Sequence, residues 1–226
     1  MRQRILQAMI TTAFGIWLVL MVVFVISPTS YDSEIDFAKL RRQNPDVIAY
    51  IRIDGTPVDY PVLMSGDDKE EDYYLNHNID GSTGYPGCIY VQKENAKDFS
   101  DPVTVIYGHN MKDGSMFAWL HNYEGGAFTG TSPKIIIYTP DKKIDYDIIA
   151  VKIYDDRLLL DEYNYFTKQE DMDDFLSDIT NVSDTREWAA SSNSAASLGD
   201  DRFIVLSTCT ADDSERLLVI GQESAE

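Results

Sequence analysis

Short apolar runs, most of them bounded by glycine, proline or aspartate, recur through this 226-residue chain. Runs of about four to eight residues are typical of β-strands, and residues 144–150 alternate apolar and partly acidic side chains, as a half-buried strand does. Asp54-Gly55 lies between two runs and predicts a tight hairpin. A large number of strands with few helices predicts a closed or nearly closed β-barrel. The predicted strands, about eight in number, span residues 47–53, 58–63, 88–91, 103–107, 134–138, 144–154, 203–208 and 216–220.

Two helices are expected beside these strands. The first spans residues 33–44, with Ser33 as its N-terminal cap and an Asn-Pro pair at its end. The second begins near Thr167, before the last two strands, and has apolar residues at the i, i+3, i+4 and i+7 positions counted from Met172. A weaker third helix is predicted for residues 185–198.

A stretch of 22 residues without a formal charge, residues 5–26, precedes the strand pattern. As an α-helix it would be roughly 33 Å long, about the thickness of one hydrocarbon core. Arg2 and Arg4 precede it and acidic residues follow it, so the positive-inside rule places the N-terminus in the cytoplasm. We therefore expect residues 1–27 to form a cytoplasmic N-terminus with one transmembrane anchor, and residues 28–226 to form an extracytoplasmic domain. The alternative is a cleaved signal peptide, whose apolar region is usually shorter, about 7–15 residues.

The charge balance excludes several classes of partner. The chain has 38 Asp and Glu against 19 Lys and Arg, a formal net charge of −19. Nucleic acids and anionic lipid surfaces favour lysine and arginine, so neither is expected as the main partner. Two cysteines and three histidines are too few for a disulfide-built scaffold or a large metal centre, and no metal or cofactor is predicted. The acidic segment 67–72 lacks EF-hand spacing and is predicted to be a solvated loop rather than a calcium site.

The last two predicted strands carry the first candidates for catalysis. Cys209 ends one apolar run, and Arg216 begins the next one seven residues later. If these strands pair through the short loop, the thiol and the guanidinium lie at the same rim of the sheet. A fixed cation stabilises a thiolate, and a planar guanidinium can hold a carbonyl or a developing oxyanion.

A thiolate that cleaves an amide also needs an acid–base partner, because the leaving amine must be protonated. His109 is the best placed of the three histidines, since it follows a predicted strand and a glycine. His77 lies in a polar segment, and His121 follows a predicted helical turn. The residue types alone leave three interpretations of Cys209 open: a nucleophile, a buried thiol, or one half of a structural disulfide with Cys88.

Together these segments resemble the sortases, and in particular the class B sortases. The Leu-Ser-Thr-Cys segment at 206–209, followed by Arg216, resembles the nucleophile signature of the family, (T)LxTC with a later arginine. Residues 107–117, which begin Tyr-Gly-His-Asn-Met, are similar to the catalytic-histidine segment of class B. The resemblance covers about residues 35–220. Further motifs resemble the class B N-terminal pattern in the expected order, at residues 44–46, 51–56, 59–62 and 74–77.

The resemblance implies an eight-stranded closed sortase-type barrel, with an N-terminal helix and a long helix before the last two strands. It also implies a membrane-anchored cysteine transpeptidase of Gram-positive bacteria that needs no cofactor. Such an enzyme cuts a C-terminal sorting motif of surface proteins, NPxTN-like or xPxTG-like, after threonine and joins the acyl group to a cell-wall peptide amine. Cys209 would form the thioacyl intermediate, His109 would be the acid–base group and Arg216 would position the substrate. The residues implied to line the substrate groove are Ser207, Thr208, Tyr107 and Leu75.

Two features depart from the class B pattern. The interval between Cys209 and Arg216 is shorter than expected, so the loop between the last two strands is expected to shape the groove differently. The acidic segment 67–72 lies near a groove segment, which leaves the preferred sorting motif open. Two rival functions also remain: a thiol hydrolase that uses the same site without transfer, and a surface-tethered binding module with an inert Cys88–Cys209 disulfide.

Overall fold

The computed structural model describes residues 34–126, 133–190, 198–212 and 214–225. This part of the chain contains nine β-strands and three α-helices, joined by turns and short 3₁₀ helices. In chain order the elements are α1 (Phe37–Gln43), β1 (Val47–Ile53), β2 (Asp59–Leu63), β3 (Ile89–Val91), β4 (Val103–Tyr107), β5 (Lys134–Tyr138), β6 (Lys143–Asp155), α2 (Leu159–Glu162), α3 (Gln169–Thr180), β7 (Trp188–Ala189), β8 (Phe203–Cys209) and β9 (Glu215–Glu223).

Eight of these strands close into a barrel. Their order is β5-β1-β2-β3-β4-β8-β9-β6, and β6 pairs back onto β5. The pairs β2–β3 and β4–β8 are parallel, and the other pairs are antiparallel. The short strand β7 pairs with β6 at residues 150–151, past the point where the pairing of β6 with β5 ends. The predicted closed eight-stranded barrel is therefore confirmed, with β7 as an addition to it.

Strand β8 contributes to two apolar clusters, one inside the barrel and one between the barrel and the helices. Its residues Ile204 and Leu206 point into the barrel interior, whereas Phe203 and Val205 belong to an outer apolar cluster with α2 and α3. In that outer cluster the rings of Phe175 and Phe203 pack edge to face, with their centroids 6.0 Å apart. A strand that is buried on both faces has a nearly continuous apolar sequence, which is the pattern of residues 203–206.

The helix predictions are confirmed in part. Helix α1 begins later than predicted, because the Asp36 carboxylate caps it by accepting the Lys39 N–H at 2.8 Å, and Ser33 lies outside the described residues. Helix α3 lies before the last two strands, as predicted, and the face that carries Met172 packs against β8 and β9. The weaker helix predicted for 185–198 is wrong in its described part, since Trp188–Ala189 is the strand β7. Residues 191–197 lie outside the described residues.

The membrane prediction falls on residues 5–26, which also lie outside the described residues. Within the described ranges, no helix combines the length and the apolar composition that a bilayer crossing needs. The division into residues 1–27 and 28–226 therefore stays a prediction.

Candidate active site

Strands β8 and β9 place a thiol opposite a guanidinium. The two strands are antiparallel, and their register makes Cys209 and Arg216 direct partners. The loop between them is short, and its turn is closed by the Thr210 N–H, which donates to the Glu215 carbonyl at 3.3 Å. Cys209 is partly exposed at the strand end, and Arg216 Nη1 donates to the carbonyl of Glu215 at 3.0 Å. The short interval noted in the sequence thus corresponds to a direct cross-strand pair.

Strand β4 brings an imidazole to the same rim. It runs parallel to β8, with Tyr107 opposite Ser207, so His109 and Cys209 each lie two residues beyond a paired position. His109 Nε2 lies 2.7 Å from the carbonyl oxygen of Leu75. Because a carbonyl oxygen only accepts, Nε2 carries the proton of this bond. The Leu75 backbone therefore fixes the orientation of the ring.

A glycine is required where β4 leads into His109. A Cβ atom on Gly108 would lie 2.4 Å from Cδ1 of Ile89 and 2.7 Å from Cδ2 of Phe117, closer than packed carbon atoms approach. The Phe117 N–H also donates to the His109 carbonyl at 3.0 Å. The chain passes through a narrow gap here, and this gap sets the position of the histidine backbone.

A cavity of about 290 Å³ lies between these strand ends. It brings together every site residue named from the sequence, namely Leu75, Tyr107, His109, Ser207, Thr208, Cys209 and Arg216. Thr208 is only 2% exposed, and its hydroxyl has no hydrogen-bond partner among the described residues. In the described ranges, no group of three or more His, Cys, Asp or Glu side chains is arranged to hold a metal ion. The lining is completed by Glu71, Asp72, Tyr90, Gly108, Asp156 and Leu158.

Burial changes the acid–base properties of the cavity wall. It raises the pKa of the Tyr90 and Tyr107 hydroxyls, so both stay protonated, and Tyr107 donates to Gln92 Oε1 at 2.9 Å. Burial also raises the pKa of Glu71 to about 7, although both of its carboxylate oxygens accept the Lys93 N–H at 3.1 Å. The acidic segment was predicted to be solvated, and that prediction is wrong for Glu71, which is half-buried in the wall.

The second cysteine is outside this chemistry. Cys88 and Cys209 are both free thiols, so the disulfide interpretation is wrong, and the inert binding module loses its basis. Cys88 is buried, and its thiol donates to the carbonyl of His77 at 3.3 Å. Burial raises the pKa of the Cys88 thiol to about 12. His77 stacks on Tyr73 with a centroid distance of 3.8 Å and does not line the cavity.

Some residues that contact the site were not found from the sequence. Asn110 and His121 both lie within hydrogen-bond distance of the Cys209 carbonyl oxygen, and Glu124 lies beside His121. The sequence showed His121 only as a weak alternative to His109. Its contact with Cys209 is made through the backbone of a residue 88 positions away, for which no local pattern exists.

Comparison with known proteins places this geometry in a family. Residues 51–224 match the family model described as a sortase domain. The chain is 34% identical over 189 residues to Sortase B of Listeria monocytogenes, covering 81% of this chain and 72% of that protein. The chain belongs to the class B sortases. As a member of that family it is a cysteine transpeptidase, and the resemblance seen in the sequence is confirmed.

Solved structures agree with this assignment of the sortase. The solved structure of Sortase B from Listeria monocytogenes matches with a TM-score of 0.65 and 32% identity, covering 82% of this chain and 98% of that chain. The X-ray structure of Clostridium perfringens Sortase B matches with a TM-score of 0.66 and 26% identity, covering 83% and 99%. The barrel and its cover of helices are therefore the sortase fold.

Proposed function

We propose that this class B sortase cleaves a C-terminal sorting motif of surface proteins after its threonine and transfers the acyl group to a cell-wall peptide amine. The motif is NPxTN-like or xPxTG-like. One observation carries the proposal: Cys209, His109 and Arg216 come from the ends of the neighbouring strands β8, β4 and β9 and line one cavity. A thiol, an imidazole and a guanidinium around one cavity are the groups that amide exchange through a thioester requires.

Cys209 is the nucleophile of the first half-reaction. The thiol gives its proton to His109, the resulting thiolate attacks the threonine carbonyl carbon, a C–S bond forms, and the carbonyl electron pair moves to the oxygen. Arg216 positions that oxygen and stabilises its negative charge. When the tetrahedral intermediate collapses, the C–N bond breaks and His109 protonates the leaving amine. The products are a thioester on Cys209 and the released C-terminal fragment.

The second half-reaction reverses these roles. The acceptor amine attacks the thioester, His109 takes the proton from the amine, the C–N bond forms and the Cys209 thiolate leaves. One amide replaces another, so the exchange balances without an oxidant, a nucleotide or a metal ion. Water is far more concentrated than any amine, so transfer requires that the cavity positions the amine and restricts water around the thioester.

The other lining residues belong to the substrate groove in this proposal. Tyr107 and Leu75 form its wall beside the imidazole, and Leu75 also holds His109 through its carbonyl oxygen. Ser207 and Thr208 are buried directly before the nucleophile on β8.

We also propose that residues 5–26 anchor the enzyme in the cell membrane, with the N-terminus inside and the catalytic domain outside. The run of 22 uncharged residues after two arginines supports this orientation. The full chain should stay with the membrane fraction after an alkaline carbonate wash, and external protease should digest it in intact protoplasts. Release into the medium with a shortened N-terminus would support a cleaved signal peptide instead.

The test of the activity uses a sorting peptide with and without an added amine. A ligated product supports transfer, whereas cleavage that the amine leaves unchanged supports the alternative, a thiol hydrolase at the same site.

Cys209→Ala should form no acyl-enzyme by intact mass spectrometry. His109→Ala and Arg216→Ala should each lose about a hundredfold or more in rate. Arg216→Lys is the matched variant, since it keeps the charge and loses the planar fork, and a loss below about tenfold in Arg216→Ala would reject the oxyanion role.

A further inference from the structure

The backbone carbonyl of the nucleophile is held by side chains from two other segments. Asn110 Nδ2 donates to the Cys209 carbonyl oxygen at 3.0 Å, and His121 Nε2 lies 3.1 Å from the same oxygen. Asn110 Nδ2 and His121 Nε2 are 3.0 Å apart, and His121 Nδ1 is 2.6 Å from Glu124 Oε1. Asn110 follows β4, whereas His121 and Glu124 belong to the 3₁₀ segment Ala118–Gly126.

The donors and acceptors of this network allow two arrangements of protons, and both keep the hydrogen bond from Asn110 to Cys209. A carboxylate only accepts, so His121 Nδ1–H donates to Glu124. Nε2 then either accepts one N–H of the Asn110 amide through its lone pair or, where it is protonated, donates to the Cys209 carbonyl oxygen. The second N–H of the same amide group donates to the Cys209 carbonyl. In both arrangements Asn110 holds the Cys209 carbonyl, and His121, which Glu124 fixes, supports that contact.

The position of this bond in the chain gives it a specific role. Asn110 comes directly after His109, so its side chain ties the segment that carries the imidazole to the residue that carries the thiol. The backbone pairing of β4 with β8 extends as far as the Gly108 N–H, which donates to the Ser207 carbonyl at 3.1 Å. Past that pair, the Asn110 amide continues the connection between the two strand ends.

We propose that Asn110, supported by His121 and Glu124, is a positioning residue that keeps the Cys209 thiol in register with the His109 imidazole. The inference rests on the proposed roles of Cys209 and His109. It assigns Asn110 an effect on the rate of acylation rather than on peptide binding, because the amide contacts the backbone of the nucleophile. A displacement of about 1 Å between reacting groups can cost about a hundredfold in rate.

The first experiment measures acylation by a sorting peptide in the full chain. Asn110→Ala should lower kcat by about ten- to a hundredfold with little change in KM. His121→Phe should lower kcat less, and His121→Gln should restore it, because a glutamine side-chain amide can accept the Asn110 N–H or donate to the Cys209 carbonyl as Nε2 can. The matched control is Asn122→Ala, since Asn122 is in the same 3₁₀ segment and donates to the Trp119 carbonyl at 2.8 Å, away from Cys209.

A double-mutant cycle separates positioning from general stability. If Asn110 acts through the His109–Cys209 alignment, Asn110→Ala should have almost no further effect on kcat in a His109→Ala background. An equal effect in both backgrounds would overturn the inference. So would a kcat for Asn110→Ala within about twofold of the wild type, or a loss shared by Asn122→Ala and matched by a lower thermal midpoint.

A second measurement does not depend on the sorting peptide. Alkylation of Cys209 by iodoacetamide near neutral pH reports the thiolate, and Asn110→Ala and His109→Ala should each slow it several-fold. Unchanged alkylation in Asn110→Ala would overturn the inference. If Asn110→Ala slows alkylation but the wild type cleaves no sorting peptide, the proposed function is rejected and the positioning role stands.

Discussion

Cys88 and Cys209 have the same side chain in different surroundings. Cys88 is buried beside β3, where burial raises its pKa to about 12, whereas Cys209 is partly exposed at a strand end opposite Arg216. Only a thiolate is strongly nucleophilic, so a thiol with a pKa near 12 reacts slowly at neutral pH. The difference in reactivity therefore comes from position in the barrel.

Brief iodoacetamide treatment of the native protein at pH 7.5 should add one adduct, on Cys209, and treatment after denaturation should add two. Peptide mass spectrometry identifies the modified residue. Cys88→Ala should keep the native adduct, and Cys209→Ala should remove it. Comparable labelling of both thiols in the native protein would contradict the buried position of Cys88.

Glu71 should make the stability of the domain depend on pH. Its pKa is raised to about 7 by burial, above the ordinary value for a glutamate. Between pH 4.5 and 7 the folded state therefore holds a proton that the unfolded state has lost. Stability rises with pH only where the unfolded state binds more protons, so here it falls as the pH rises through this window.

The variant Glu71→Gln cannot ionise and should lack this dependence. Relative to the wild type, its thermal midpoint should rise as the pH goes from about 4.5 to about 7.5, as measured by differential scanning calorimetry. Glu70→Gln is the matched control, because Glu70 is the exposed neighbour of Glu71 in the same segment. If the midpoints of Glu71→Gln and the wild type stayed parallel across this range, the carboxyl would not be buried as described.

Within the strands, two glycines lie in crowded sites, and substituting each one distinguishes an effect on stability from an effect on catalysis. A Cβ on Gly108 would meet Ile89 and Phe117 where β4 leads to His109. A Cβ on Gly221 would lie 2.9 Å from Cβ of Tyr146, inside β9 and five residues past Arg216. Overpacking in such sites typically costs about 1–3 kcal/mol.

Both Gly108→Ala and Gly221→Ala should therefore lower the urea midpoint, but only Gly108→Ala should also lower the acylation rate per folded molecule. The reason is that the backbone shift at Gly108 moves the histidine, whereas Gly221 lies far along β9 from the cavity. Each rate is measured at a temperature where both variants are fully folded. A normal rate in Gly108→Ala would mean that the gap does not set the position of His109.

The strands were predictable because their local patterns are strong. The predicted ranges 47–53, 103–107 and 134–138 agree with the observed strands. Turn residues bound each of these runs, and each strand buries one or both of its faces, which requires an apolar sequence. The pairing of Cys209 with Arg216 was also predictable, because a loop of a few residues forces two strands to be antiparallel neighbours. Strand β7 was missed, since two residues are too short to produce a period.

Local sequence patterns could not predict the contacts between segments that are far apart in the chain. The neighbourhood of β4 and β8 depends on a parallel pair about 100 residues apart. The position of His109 at a strand end made it the best of three candidate partners for Cys209, and the family resemblance then favoured it over His77 and His121. The same holds for Asn110 and His121, whose side chains reach a backbone oxygen. A sequence pattern reports which residues are buried, but it does not report which carbonyl a surface amide contacts.

The negative net charge of the whole molecule and the acidic residues of the cavity wall both bear on the charge of the peptide that the site binds. The chain has a formal net charge of −19, and the cavity wall contains Asp72 and Asp156 as well as Arg216. Glu71 also lies in this wall, but burial raises its pKa to about 7, so it is only partly charged near neutral pH. A long-range negative potential attracts cationic ligands and is screened by salt. We therefore predict a preference for a peptide whose positive charge lies near the scissile bond and close to the Asp72 and Asp156 carboxylates.

A sorting peptide with lysine before the threonine should accordingly have a higher kcat/KM than the same peptide with glutamate there. The ratio should shrink as salt rises from 0.1 M to 1 M, because the screening length falls from about 10 Å to about 3 Å. The double variant Asp72→Asn/Asp156→Asn should reduce the ratio, whereas Asp67→Asn/Asp68→Asn should change it little, because those exposed residues do not line the cavity. A preference that salt and both double variants leave unchanged would assign peptide selection to shape, through residues such as Leu75 and Tyr107, rather than to charge.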